Sequence, residues 1–200
     1  MPLFSSSPTP VPEIIAFFQN QRKTVITLAG FSGAGYQYPE ELKETILQLL
    51  SQRDPEQSIV NIGLTADGIG QAYLWAKTLG FTTSGIVSTA VLEFGSAISP
   101  ECDYGFVVED AAFGGYVNGR LSPVSEAMVS VSDLMIAVGG GEVARDELTE
   151  MEKRGKSVQF IPAKMNQLRA LAKAWGKGLP PPKDETLWGA AHARFGGRPF

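Results

Sequence analysis

The segment DLMIAVGGGEVARDELTEMEKRG, residues 133–155, runs from an apolar stretch through three glycines into an amphipathic segment. The apolar part is short and does not alternate with polar residues, as expected of a strand buried on both faces. Ala144, Leu148 and Met151 recur at helical spacing, and Gly155 is a stop signal. Strand candidates followed by helix candidates lie on both sides of it along the chain. VITLAG (25–30) leads to PEELKETILQLL (39–50), where Pro39 suits a first helical position and Leu42, Ile46, Leu49 and Leu50 share a face. SIVNIGL (58–64) leads to IGQAYLWAKTLG (69–80). SGIVST (84–89) and YGFVVED (104–110) are further strands, and Ser122-Pro123 opens a helix carrying Val124, Ala127, Met128 and Val131. SVQFIP (157–162) and NQLRALAKAWG (166–176) close the series, with Trp175 expected in the core.

Strands alternating with helices predict an α/β fold, a Rossmann-like three-layer αβα sandwich with a mainly parallel sheet. The expected organisation is a lead-in and short helix over 1–23, a nucleotide-binding domain over 24–176 and a Pro/Gly-rich tail over 177–200, with Trp188 as its anchor.

The bulk composition narrows the function. The chain has 200 residues, 44% of them hydrophobic, enough for one sizeable core. A net charge of −4 gives no general attraction to nucleic acid. The N-terminus lacks a basic segment followed by an apolar one, and no apolar run reaches membrane-spanning length, so a cytoplasmic location is expected. One cysteine, Cys102, and one histidine, His192, argue against a disulfide framework and a His/Cys metal site. No metal and no resident cofactor are expected.

In an open parallel sheet, ligands bind beyond the carboxyl ends of the strands. Three predicted strands end there in dense glycine: AGFSGAG (29–35), GLTADGIG (63–70) and VGGGEVARDE (138–147). Glycine lets the backbone approach a ligand and expose its N–H groups, and a following helix start adds partial positive charge suited to phosphate. The candidate ligand-binding residues are Gly30, Ser32, Gly33, Thr65, Asp67, Gly68, Gly70, Gly139, Gly140, Gly141, Glu142 and Arg145. Arg145 is a phosphate partner by chemistry, and Ser32 and Thr65 are hydroxyl donors. Glycine is also common at strand–helix turns for steric reasons alone, and acids near a helix start are favoured by its dipole. Ser32 stands in a sequence close to a nucleophile elbow, yet no helix follows it at once and the single histidine lies far away in the tail. Glu109 and Asp110 end a strand and are either site acids or plain turn residues.

SDLMIAVGGGEVARDEL (132–148), together with GLTADGIG and the GFSG turn, resembles the superfamily that joins the DprA/SMF proteins to the LOG proteins, over roughly residues 24–170. The resemblance implies a Rossmann-like fold, nucleotide binding and a homo-oligomer, commonly a dimer. LOG enzymes hydrolyse the N-glycosidic bond of nucleoside 5′-monophosphates through a PGGxGTxxE motif. Gly139 and Gly140 match its glycine pair, but Val138 replaces Pro, and Glu142-Val143 stands where Gly-Thr is expected. The acid falls at Asp146 with Glu147 beside it, and the only nearby arginine before the motif is Arg120. By resemblance, Asp146 and Glu147 are the catalytic candidates. The binding scaffold carries over more fully than the catalytic group. The expected function is binding of a nucleotide or related phosphorylated small molecule, as in a sensor; the alternative is a LOG-like phosphoribohydrolase.

Overall fold

A computed structural model describes the backbone of residues 3–4 and the whole of residues 7–197. The elements run β1 (Leu3–Phe4), α1 (Val11–Gln21), β2 (Thr24–Gly30), α2 (Pro39–Ser51), β3 (Ser58–Ile62), a 3-10 turn (Gly68–Gln71), α3 (Ala72–Thr78), β4 (Thr82–Ser88), α4 (Thr89–Glu93) and β5 (Tyr104–Val108). A small hairpin follows, β6 (Tyr116–Val117) and β7 (Arg120–Leu121). Then come α5 (Pro123–Val131), β8 (Leu134–Val138), α6 (Glu142–Lys153), β9 (Ser157–Ile161), α7 (Gln167–Gly176), α8 (Asp184–Leu187) and α9 (Gly189–Phe195).

Strand order in the main sheet is β1-β5-β4-β3-β2-β8-β9, and every pairing is parallel. The chain winds outward from β2 through β3, β4 and β5, then returns to place β8 on the other side of β2. The order therefore reverses between β2 and β8, where such sheets open a crevice.

The two sheet faces explain the non-alternating sequence. In β2, Ile26 and Leu28 pack with Leu42, Ile46 and Leu50 of α2 and with α3. Val25 packs on the opposite face with α1 and α5, and Ala29 packs there beside α5, α6 and α9. One row on that second face is polar. Thr27, Asn61 and Ser84 are register partners on β2, β3 and β4. The Ser84 hydroxyl donates to the Asn61 carbonyl oxygen, the Asn61 amide donates to the Thr27 hydroxyl, and Thr27 shares a hydrogen bond with Ser132. Each member is buried and partnered, so the row locks strand register without an unsatisfied polar group.

The 184–195 segment is not a loose extension. Leu187, Ala191 and Phe195 are buried, and α9 packs against α6. The Leu187 carbonyl accepts the Met165 N–H and the Gly140 carbonyl accepts the Ala191 N–H. Gly189 has φ +77° and lies on the Gly140 carbonyl and the Phe31 ring, leaving no room for a Cβ. Trp188 stacks on His192, with ring centroids 4.7 Å apart, and Lys164 lies over the indole. The anchoring role expected of Trp188 has this form.

Trp175 is a correction. It is 68% exposed, and no residue of α7 is buried. The helical spacing identified an apolar stripe, but among the described residues β9 is the sheet edge and no further strand lies beneath the helix that follows it.

Two buried tyrosines fix the strand ends. The Tyr36 hydroxyl accepts the Phe31 N–H at 3.1 Å and donates to the Val138 carbonyl at 2.8 Å, tying β2 to β8 across the reversal point. The Tyr73 hydroxyl accepts the Leu64 N–H at 3.2 Å and donates to the Ser84 carbonyl at 2.8 Å, tying the β3 turn to β4. Burial raises the pKa of both phenols, so they remain neutral donors. Tyr36→Phe strands a buried N–H and a buried carbonyl. It should cost about 1–3 kcal/mol, a fall in Tm of roughly 3–10 °C by thermal denaturation.

Candidate functional site

The three glycine-rich turns follow β3, β2 and β8, which are adjacent strands, and they touch. The Ile69 N–H donates to the Phe31 carbonyl at 2.7 Å. Gly68 lies on the Phe31 and Ser32 carbonyls, and Gly139 lies on the Phe31 ring. Neighbouring strands are about 4.8 Å apart, so the three turns share a span of roughly 10 Å.

The glycines there divide into two kinds. Gly30, Gly68, Gly70, Gly139 and Gly140 are buried or nearly so, and a Cβ on any of them would collide with protein. Gly30 lies against the Tyr36 hydroxyl, Gly70 against the Thr65 carbonyl, and Gly140 against Ala144. These five candidates are glycine for packing. Gly33, Gly63 and Gly141 are different. None has a positive φ, and a Cβ at each would meet nothing within 4 Å. One such glycine stands in each turn, beside open space.

The polar candidates around them are accessible. Ser32, Asp67 and Glu142 are exposed, and Thr65 and Arg145 are half-buried. Arg145 pairs with Asp146 at 2.8 Å. Gly141 is the N-cap of α6 and no side chain caps the first amides of that helix, leaving its positive end toward the same face. A further cation borders the β2 turn: Arg169 of α7 lies beside Gly35 and reaches the Gly33 carbonyl at 3.4 Å. Sequence spacing gave no sign of this residue, because 136 positions separate it from Gly33. Leu64, buried with φ +61°, holds the β3 turn in a left-handed conformation rare for a branched side chain, and the Thr65 N–H closes onto the Gly63 carbonyl at 2.8 Å.

Asp146 and Glu147 lie behind this face, on the buried side of α6. The Asp146 carboxylate accepts the Tyr116 N–H at 2.9 Å as well as the Arg145 guanidinium. The Ser125 hydroxyl accepts the Gly115 N–H and donates to Glu147 at 2.6 Å. Both acids thus hold the 112–121 segment against α5 and α6. Asp110 does similar work, accepting the Ala112 and Val124 N–H groups, whereas Glu109 is exposed. Cys102 is buried, and burial pushes its thiol up to about 12. A separate hollow, lined by Tyr36, Tyr38, Glu41, Thr45 and Lys164, opens between α2 and the end of β9. Among the described residues no helix is long and apolar enough to cross a membrane.

No protein-family model matches the chain, and no curated protein does. Solved structures do. The Moco carrier protein from Chlamydomonas reinhardtii is similar with a TM-score of 0.52 at 20% identity, over 83% of this chain and 87% of that one. A second structure of the molybdenum cofactor carrier protein from that organism gives 0.51 at 22% identity, over 70% and 76%. TM1055, a structural genomics target, gives 0.50 at 17% identity, over 68% and 72%. At these identities the likeness is one of fold, and that fold is the Rossmann-like one implied by the resemblance.

Burial raises the Glu147 carboxyl from 4.5 to about 7, with the neighbouring Asp146 charge acting in the same direction. A carboxyl with a raised folded-state pKa holds a proton that the unfolded chain has released. Its contribution to stability is therefore present at low pH and lost as pH rises from 4.5 to about 7. Relative to Glu147→Gln, which keeps the shape without the charge, the native chain should lose on the order of 3 kcal/mol between pH 4.5 and 7.5. Chemical denaturation of both proteins across that range measures the difference.

Proposed function

We propose that this chain is a non-hydrolytic binding protein for a nucleotide or related phosphorylated small molecule, held across the turns after β3, β2 and β8. One observation carries the reading: Gly33, Gly63 and Gly141 require neither a positive φ nor space for a protein neighbour. What their missing side chains spare is the open face itself, where a ligand would lie close to the backbone. The α6 amides and Arg169 supply the positive potential a phosphate needs. The neighbours named as molybdenum cofactor carriers are compatible with a carrier or sensor, although they share only the fold.

Binding is favoured over LOG-like hydrolysis by the state of the two acids. Glycosidic cleavage needs a carboxylate at the reacting carbon. Asp146 and Glu147 are buried and committed to Tyr116, Arg145 and Ser125.

Binding to the native state alone stabilises it, by about 2.7 kcal/mol at a ligand concentration of 100 Kd. Nucleoside 5′-monophosphates should accordingly raise Tm by several degrees, with no free base released. Gly33→Val and Gly141→Val should abolish that rise while changing the ligand-free Tm by no more than roughly 2–4 °C. Gly68→Val and Gly139→Val, at packed positions, should destabilise the free protein severely. Retention of the ligand-induced rise in the Gly33 and Gly141 variants would contradict the proposed site, and release of free base would restore the hydrolase reading.

A further inference from the structure

Two large apolar side chains stand in solvent on the same end of the sheet. Phe94, at the end of α4, is 78% exposed, and Phe113, in the segment after β5, is 59% exposed. Their rings meet edge to face with centroids 5.9 Å apart. Single exposed apolar residues are ordinary, but two in mutual contact with most of their surface in water are less so.

The surrounding backbone holds the pair out. The Thr89 hydroxyl and the Ala90 N–H both donate to the Asp110 carbonyl, and the Asp110 N–H donates back to the Thr89 hydroxyl. The α4 turn and the β5 exit are therefore one tied unit. Phe94 follows from it, its N–H on the Ala90 carbonyl. Phe113 is fixed from both sides. Before it, the Asp110 carboxylate accepts the Ala112 N–H; after it, Gly114 is wedged against Val143 and Ser125. The same unit borders the glycine face. Ala66 donates to the Ala97 carbonyl, and Thr65 and Ile98 form a bridge, so the segment after Phe94 runs beside the β3 turn.

We infer that Phe94 and Phe113 are the platform for a flat aromatic ring on the ligand whose phosphate lies at the glycine face, which makes the ligand a nucleotide or other ring-bearing phosphate in preference to a sugar phosphate. The inference rests on the binding reading above and names its ligand class. The size of the patch selects the occupant. Two phenyl side chains offer at most roughly 300–500 Å², well short of the ~800 Å² per partner of a stable protein interface, but ample for one base. The positions agree as well: Gly114, next to Phe113, lies against Val143 in the first turn of α6, and the segment after Phe94 runs beside the β3 turn, so the ring pair borders both sides of the glycine face. Edge-to-face phenyl pairs accept a third ring by stacking, and such stacking tolerates any base because every base has a π face.

The test uses the full chain, with adenosine 5′-monophosphate and ribose 5-phosphate as probes in calorimetric titrations. The wild type should bind the nucleotide at least about tenfold more tightly than the sugar phosphate. The Phe94→Ala/Phe113→Ala double variant should bring the two affinities together by weakening the nucleotide alone. Because both side chains are exposed, Tm should not move, and Phe113→Tyr should keep the preference. Equal affinities in the wild type, or an unchanged nucleotide affinity in the double variant, overturns the platform while leaving the phosphate site standing. Binding of neither probe to the wild type overturns the site reading and the platform with it. A change of oligomeric state in the double variant would assign the pair to a contact between copies and also overturn the inference.

Discussion

The Tyr36 hydroxyl, between the Phe31 N–H and the Val138 carbonyl, fixes the carboxyl ends of β2 and β8 relative to one another. A doubly wound sheet must separate its outgoing connections where strand order reverses, here between β2 and β8. Left open, that gap would leave backbone groups at the strand ends without partners. One phenol satisfies a donor and an acceptor on opposite sides of it. Burial keeps the phenol protonated, and Gly30 makes room for its oxygen. Tyr73 repeats the device between β3 and β4. With both in place each strand end is tied to its neighbour, and turns supported in this way can hold amides in a fixed geometry.

The same closure decides where a ligand can lie. The Phe31 ring and Gly189 fill the side of the β2/β8 crevice that faces the tail, and the Gly140 carbonyl is taken by Ala191. The backbone beside open space lies instead at Gly33, Gly63 and Gly141, with the α6 amides alongside. The acids of the VARDE segment face inward and brace the loop that carries Phe113. A scaffold that spends its carboxylates on holding loops, and keeps its open face for glycine backbone and aromatic rings, is suited to binding.

The fold was legible because the strands are short apolar runs alternating with amphipathic helices, and three of them, β2, β3 and β8, end in glycine, patterns set by local physics. The three turns were likewise legible as a group. Within them, the sequence could not separate glycines required by packing from those beside open space. Gly30 and Gly33 read alike, and only the tertiary position of the Tyr36 oxygen distinguishes them. Nothing in GLTADGIG sets Gly63 apart from Gly68 and Gly70. Arg169, Phe94 and Phe113 were missed because long-range topology, not spacing, brings them to this end of the sheet. Trp175 was misplaced because an apolar stripe says that a helix has a face without saying what covers it.

In the binding mode proposed, a phosphorylated ligand lies against the backbone at Gly33, Gly63 and Gly141. Amide chemical shifts, followed by NMR as a nucleoside 5′-monophosphate is added, report on that contact residue by residue. Saturable shifts at Gly33, Gly63 and the 141–143 amides, with the far ends of the strands unmoved, are the result expected. No shift at any of these amides, or shifts confined to the hollow around Tyr38 and Lys164, would contradict it.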